Sequence, residues 1–122
     1  MTNPQWDDKE YREAYMEASI EQAISWQVKI NRQKRGLTKQ QLADKAGVKV
    51  GVIERLEDPE INDHSIDLLV KVAKAFDCAL SIKLIPYEQL AQESLDLSEE
   101  AQYAPPFHTR TYPLTHSPEQ TQ

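Results

Sequence analysis

The feature that most constrains this fold is the stretch at residues 36–57, GLTKQQLADKAGVKVGVIERLE, in which two short helical patterns meet at a glycine. Thr38 and Gln41 have the spacing of a capping box, in which each side chain binds the backbone amide of the other residue. A helix is therefore predicted to begin at Thr38 and to end at Gly47, because glycine favours the left-handed turn after a helix. A second helix is predicted over residues 49–57. Two short helices joined by a tight turn cross steeply, which leaves the second helix projecting from the domain.

Helical patterns also flank this stretch on both sides. An apolar stripe with helical spacing predicts a long helix over residues 7–35, either unbroken or interrupted near residues 18–19. Gly36 is expected to end that helix. Ser65 is expected to cap a further helix over residues 66–76, whose apolar residues recur every three or four positions. The chain is therefore predicted to be mainly α-helical.

The C-terminal part of the chain changes its period and then its composition. Residues 79–85 alternate apolar and polar side chains, which predicts a β-strand with one buried face. Because a lone strand is unstable, we expect it either to pair with a second copy of the chain across a twofold axis or to lie on its own domain. The apolar side chains of the strand are Leu80, Ile82 and Leu84. A short helix is predicted over residues 87–93, and a flexible, acidic and proline-rich tail over residues 94–122.

Charge is distributed unevenly along the chain, whose formal net charge is −6. Residues 29–55 hold eight basic and two acidic residues, a net charge of +6, whereas residues 1–28 carry −4 and residues 56–122 carry −8. A basic block inside an acidic chain indicates an anionic partner. The alternative is a solvated face of mixed charge, but the block coincides with the two-helix stretch.

Several classes of protein are disfavoured by what the sequence lacks. The single cysteine, Cys78, excludes an internal disulfide, and the three histidines (His64, His108 and His116) lack the spacing of metal ligands. We therefore expect no metal and no cofactor. No phosphate-binding loop or nucleophile paired with a base is present, so an enzyme is not expected. No apolar run approaches the roughly 20 residues of a membrane helix, and a cytoplasmic location is the simplest expectation.

Together, residues 36–57 and the following SIDLLVKVAKAFDCAL resemble the XRE helix-turn-helix family, which includes phage repressors of the Cro/CI type and related antitoxins. The resemblance covers about residues 20–80. The longer frame, from DDKEYREAY to LIPYEQL, is similar to small prophage regulators of that family.

This resemblance implies an architecture as well as a class. A four- to five-helix domain like that of lambda repressor is expected at residues 20–78, after an acidic N-terminal helical extension at residues 1–19. The strand and short helix at residues 79–93 would then serve dimerisation, and residues 94–122 would form the tail.

The resemblance also implies roles for individual residues. In this family the second helix of the domain docks its start on the DNA backbone, and the third helix reads base edges. The residues expected to contact phosphates are Thr38, Lys39, Gln40, Lys49, Lys34 and Arg35. The residues expected to read bases are Val50, Gly51, Glu54 and Arg55. Arg32 and Glu57 match two positions that form a largely buried ion pair between the first and third helices.

The expected reading positions differ from those of a typical DNA reader. Val50 can touch a thymine methyl group but offers no hydrogen bond, and Gly51 weakens a helix by roughly 1 kcal/mol. Glu54 can accept from a cytosine amino group yet repels phosphates, whereas Arg55 can pair with guanine. The loop at residues 58–64 is acidic where related proteins often carry cations. Recognition is therefore expected to rely partly on DNA shape or on dimer avidity.

Two functional hypotheses follow from these observations. In the first, the chain is a sequence-specific regulator that binds double-stranded DNA as a homodimer on a near-palindromic operator, either as a repressor or as an antitoxin with a toxin partner. In the second, the inherited fold serves as a protein-interaction module with weak or no DNA binding. The acidic ends of the chain and the aromatic residues Tyr103, Phe107 and Tyr112 suit that second role.

Overall fold

The computed structural model describes residues 4–61 and 64–108, and this part of the chain is helical, as predicted. A short 3₁₀ turn precedes six α-helices. The turn is Pro4–Asp7, and the helices are α1 (Lys9–Lys34), α2 (Lys39–Ala46), α3 (Val50–Leu56), α4 (Ile66–Phe76), α5 (Tyr87–Glu93) and α6 (Glu99–Gln102).

Helix α1 is a single helix of 26 residues, which is about 39 Å long at 1.5 Å per residue. Asp8 caps its start, and the Asp8 carboxylate accepts a hydrogen bond of 3.0 Å from the Glu10 amide. The alternative of a break near residues 18–19 is wrong, because neither Ala18 nor Ser19 removes a backbone donor as proline would. The predicted boundary between an N-terminal extension and the domain therefore lies inside one helix. Gly36 follows α1 with a φ of 67°, as expected.

The capping box predicted for α2 is present. The Thr38 amide donates to Gln41 Oε1 at 2.8 Å, and the Gln41 amide donates to Thr38 Oγ1 at 3.0 Å. Gly47 ends α2 with a φ of 74°, in the left-handed region that disfavours larger residues. The turn at Gly47 leads directly into α3, so the two helices meet as the sequence predicts.

One apolar core joins the first four helices. Leu42, Ile53 and Leu56 are fully buried in it, and α1 and α4 close it from the other side. The members of this core are Val28, Leu42, Ala43, Ile53, Leu56, Val72 and Phe76. Fully burying each large side chain stabilises a fold by about 1.5–3 kcal/mol, so this core holds α2 and α3 at a fixed crossing.

The predicted strand at residues 79–85 is wrong, because no strand occurs in the ranges 4–61 and 64–108. A strand needs a partner for its backbone, and the described chain offers no second strand there. Leu80 lines a cavity of about 110 Å³ together with residues of α1 and α4. Ile82 and Leu84 are 63% and 102% exposed, so they do not pack on the helices of their own chain as expected. The helix predicted after Pro86 is confirmed as α5.

The chain after α4 extends along α1 to the N-terminal end of that helix, where aromatic contacts hold the start of α5. The Trp6 ring lies 5.0 Å from the Tyr15 ring and 5.6 Å from the Tyr87 ring, measured between centroids. The Arg12 guanidinium lies 5.6 Å from the centroid of Tyr87 and donates to the Trp6 carbonyl at 3.2 Å. These contacts dock the start of α5 against the N-terminal end of α1.

Residues 94–107, which we call the strap, then return along α1 towards its C-terminal end. Trp26 Nε1 donates to the Leu97 carbonyl at 3.1 Å, and Gln27 Nε2 donates to the Gln102 carbonyl at 3.2 Å. The Phe107 amide donates to the Asp77 carbonyl at 2.9 Å, just after α4. The prediction of a flexible tail is therefore wrong for the strap, since polar groups on α1 bind its backbone. Residues 109–122 of the predicted tail, with Tyr112, lie outside the described residues.

Candidate nucleic-acid interface

The predicted ion pair between Arg32 and Glu57 is present and nearly buried. Arg32 Nε and Nη2 donate to the two Glu57 carboxylate oxygens at 2.7 and 3.0 Å, in a bidentate arrangement. The exposed fractions of the two side chains are 11% and 4%. Arg32 Nη1 also donates to the Leu37 carbonyl at 2.9 Å. One guanidinium therefore fixes the end of α1, the connection into α2 and the end of α3 relative to one another.

The start of α2 presents the expected phosphate-binding residues to solvent. Thr38, Lys39 and Gln40 are all exposed there. The Thr38 hydroxyl already caps the helix, and Gln40 Nε2 donates to Asp44 Oδ1 at 2.9 Å. The positive end of the α2 dipole and the Lys39 ammonium remain available to an anion at this end of the helix.

Helix α3 divides the expected reading residues between the core and the solvent. Lys49 caps the helix without a side-chain hydrogen bond and is exposed, as are Glu54 and Arg55. Val50 is half-buried and packs against the core. Only the part of its side chain that faces outward is therefore available to touch a base. A Cβ built on Gly51 meets no atom within 4 Å, so this glycine opens onto free space.

Arg35, which was expected to contact phosphate, is instead engaged inside the protein. Its Nη2 donates to the carbonyls of Phe76 and Ala104, each at 2.7 Å. Its guanidinium carbon lies 4.6 Å from the Phe76 ring centroid and 5.7 Å from that of Tyr103. Carbonyls from two separate segments use its donors, and the expected phosphate contact of Arg35 stays a prediction.

Lys34, the other phosphate contact expected at the end of α1, faces the strap. Its ammonium lies 3.7 Å from a Glu99 carboxylate oxygen. Both side chains are roughly half exposed, at 41% and 56%, so this ion pair is open to water.

The residue that sequence reasoning underestimated is Asn31, which is only 2% exposed. Its Nδ2 donates to the carbonyls of Gln27 and Gln102 at 2.8 and 2.9 Å. Its Oδ1 accepts from the Ala104 amide at 2.7 Å and from Arg35 at 3.1 Å. Asn31 thus joins α1 to the strap. Its place on an otherwise apolar stripe of α1 was the signal available in the sequence.

Other chemistry is sparse in the described chain. Burial raises the pKa of the Cys78 thiol, which keeps it protonated and weakly nucleophilic at neutral pH. Across residues 4–61 and 64–108, no group of three or more His, Cys, Asp or Glu is placed to hold a metal ion. No helix in the same ranges is long and apolar enough to cross a membrane.

Two short helices that cross at a glycine, with lysines exposed at the start of each, define the class of helix-turn-helix DNA-binding proteins. Residues 28–82 match the helix-turn-helix family model, which spans the end of α1 and the whole of α2, α3 and α4. The domain belongs to the XRE family, of the Cro/CI type, as the resemblance predicted. A domain of this family indicates a DNA-binding transcription regulator. Neither a search of curated proteins nor a search of solved structures gave a match.

Proposed function

We propose that the protein is a sequence-specific regulator that binds duplex DNA as a dimer on a near-palindromic operator. It acts as a repressor, free-standing or as the autoregulating antitoxin of a toxin pair. The observation that carries this proposal is the Arg32 guanidinium, whose three hydrogen bonds, two to Glu57 and one to the Leu37 carbonyl, fix α1, α2 and α3 together. A reading helix must be held rigidly to place its side chains at base edges.

The geometry supports a division of labour on the DNA. Lys39 and Lys49, each exposed at the start of a helix, serve as phosphate anchors. Gly51, Glu54 and Arg55 face base edges on α3, with the outward part of Val50 beside them. Lys34 and Arg35 are left out of this proposed set, because the strap engages both.

A dimer is favoured by the small size of the reading helix and by exposed apolar side chains. Helix α3 has seven residues and reads few base pairs alone, so a second copy supplies avidity. Ile82 and Leu84 provide an exposed apolar contact for that copy through their side chains. A twofold dimer places the reading helices in half-sites about one helical turn, roughly 34 Å, apart.

The proposal is tested by fluorescence anisotropy over a salt series, on a duplex selected from random sequences and on a scrambled duplex. Lys39→Ala should weaken binding to both duplexes and reduce the salt slope by about one unit. Arg55→Ala should weaken the selected duplex by about 1–3 kcal/mol and relax preference at one or two base positions. Lys9→Ala, at the far end of α1, removes the same charge and should leave binding nearly unchanged.

A wild-type protein that fails to bind either duplex at about 50 mM salt, where phosphate attraction is strong, would overturn the proposal. The protein-interaction module would then be the better hypothesis. The exposed apolar residues Ile82, Leu84 and Leu95 favour that module as the second candidate, since they offer a surface to another protein.

A further inference from the structure

The strap places an acidic segment on the basic block of the chain. Residues 94–107 contain Asp96, Glu99 and Glu100 and no lysine or arginine, which gives a net charge of −3. Glu99 lies 3.7 Å from Lys34, at the last residue of α1. Negative charge from one end of the sequence is thus brought to the only strongly basic stretch, residues 29–55.

This position is fixed by hydrogen bonds on both sides of Tyr103. The Gln102 carbonyl accepts from Asn31, and the Ala104 amide and carbonyl are bound by Asn31 and Arg35 at 2.7 Å each. Asn31 is buried, so these bonds are shielded from water. The contact between Glu99 and Lys34 therefore belongs to an ordered segment of the chain.

The strap also lies close to the start of α2, where the proposed phosphate contacts begin. Lys34 is four residues before Thr38, so their Cα atoms are at most about 15 Å apart. The Arg32 guanidinium, which binds the Leu37 carbonyl at 2.9 Å, holds this connection against the end of α1. The screening length is about 10 Å at 0.1 M salt and 30 Å at 0.01 M. Carboxylates on the strap are therefore within electrostatic reach of a phosphate at α2 when salt is low.

We propose that the strap is an autoinhibitory contact that opposes DNA binding. It engages the two cations at the end of α1 and adds negative charge beside the surface that phosphates approach. This inference rests on the proposed function and deepens it, because it makes DNA affinity depend on whether the strap is docked. A strap displaced by another molecule would release Lys34 and Arg35 and would raise the affinity for DNA.

The test compares two charge-neutralising variants of the full chain, Glu99→Gln and Glu88→Gln. Both residues are exposed acids in the first turn of a short helix, so the helix and its dipole are perturbed alike. Glu88 follows Tyr87, which packs on Trp6 at the opposite end of α1. Both variants lose one negative charge, but only Glu99→Gln loses it beside the basic stretch at residues 29–55.

We expect Glu99→Gln to bind a duplex about two- to fivefold more tightly than wild type at about 50 mM salt. The gain should disappear at high salt, where such interactions are screened. Glu88→Gln should change the affinity by clearly less. Circular dichroism and tryptophan fluorescence verify that the strap stays docked, since one of the two tryptophans, Trp26, donates a hydrogen bond to the Leu97 carbonyl.

Equal affinities for the two variants, or weaker binding by Glu99→Gln, would overturn the inference while leaving the proposed function standing. If wild type and both variants all fail to bind DNA at about 50 mM salt, the proposed function fails and the inference falls with it.

Discussion

Arg32→Met should destabilise the protein more than a substitution of any exposed or half-exposed charged residue. The substitution leaves the Glu57 carboxylate, 4% exposed, without its counterion and removes the donor that binds the Leu37 carbonyl. Breaking one partner of a buried, hydrogen-bonded ion pair costs about 3–5 kcal/mol. The free energy of unfolding of a native protein is about 5–15 kcal/mol, so the substitution removes a large share of the stability.

The matched control is Lys34→Met, two residues further along the same helix. The Lys34–Glu99 pair is 3.7 Å long and half exposed, so its loss should cost below about 1 kcal/mol. Urea denaturation of both variants, followed by circular dichroism, gives the two free energies of unfolding. A second variant, Arg32→Met with Glu57→Leu, should recover much of the loss, because no buried charge is then left unpaired.

The reasoning would be refuted if Arg32→Met and Lys34→Met lost similar, small amounts of stability. It would also be refuted if the double variant were as unstable as Arg32→Met alone, because the cost would then come from lost packing.

Three further predictions concern α3, the strap and the dimer. Gly51→Ala should raise the free energy of unfolding by about 0.5–1 kcal/mol in urea denaturation, because the added Cβ meets free space in a helix. The same methyl group should weaken DNA binding measured by fluorescence anisotropy. Equal binding by the variant and wild type would show that α3 does not approach DNA closely. Asn31→Leu should cost about 2–4 kcal/mol by leaving the Ala104 amide and its neighbours unpaired, and limited proteolysis should then cut the strap at Tyr103; an unchanged digestion pattern would contradict it. Leu84→Glu should leave the helical circular dichroism spectrum unchanged, since the side chain is fully exposed in the single chain, and light scattering should show the dimer dissociating; a wild-type monomer at micromolar concentration would disprove the dimer.

The helices that carry the proposed site could be predicted from the sequence because their signals are local. The capping box at Thr38 and Gln41 spans three residues, and Gly47 sets its own backbone conformation. Such interactions depend on neighbours within one turn, so they form in the same way wherever the segment lies. The Arg32–Glu57 pair is 25 residues apart in sequence, and it was expected through the family resemblance.

The orientation of side chains on α3 was decided by packing. The family resemblance placed Val50 among the expected base readers, whereas in the structure Val50 packs partly against the core. Hydrophobic periodicity predicts which face of a helix is buried to within about one residue. The neighbouring helices decide which residues at the border of that face are covered.

Only the tertiary structure decided the fate of residues 79–107. The alternation at residues 79–85 favours a strand, but a strand exists only if another backbone pairs with it. The composition of the strap predicts disorder, yet Asn31 and Arg35 bind its backbone carbonyls and amide across 69 to 73 residues of sequence. The sequence therefore determined the elements whose hydrogen bonds close within a helical turn. The tertiary structure decided the elements whose hydrogen-bond partners come from distant segments. Backbone amides and carbonyls are chemically alike along the chain, so the local sequence does not indicate which distant side chain will bind them.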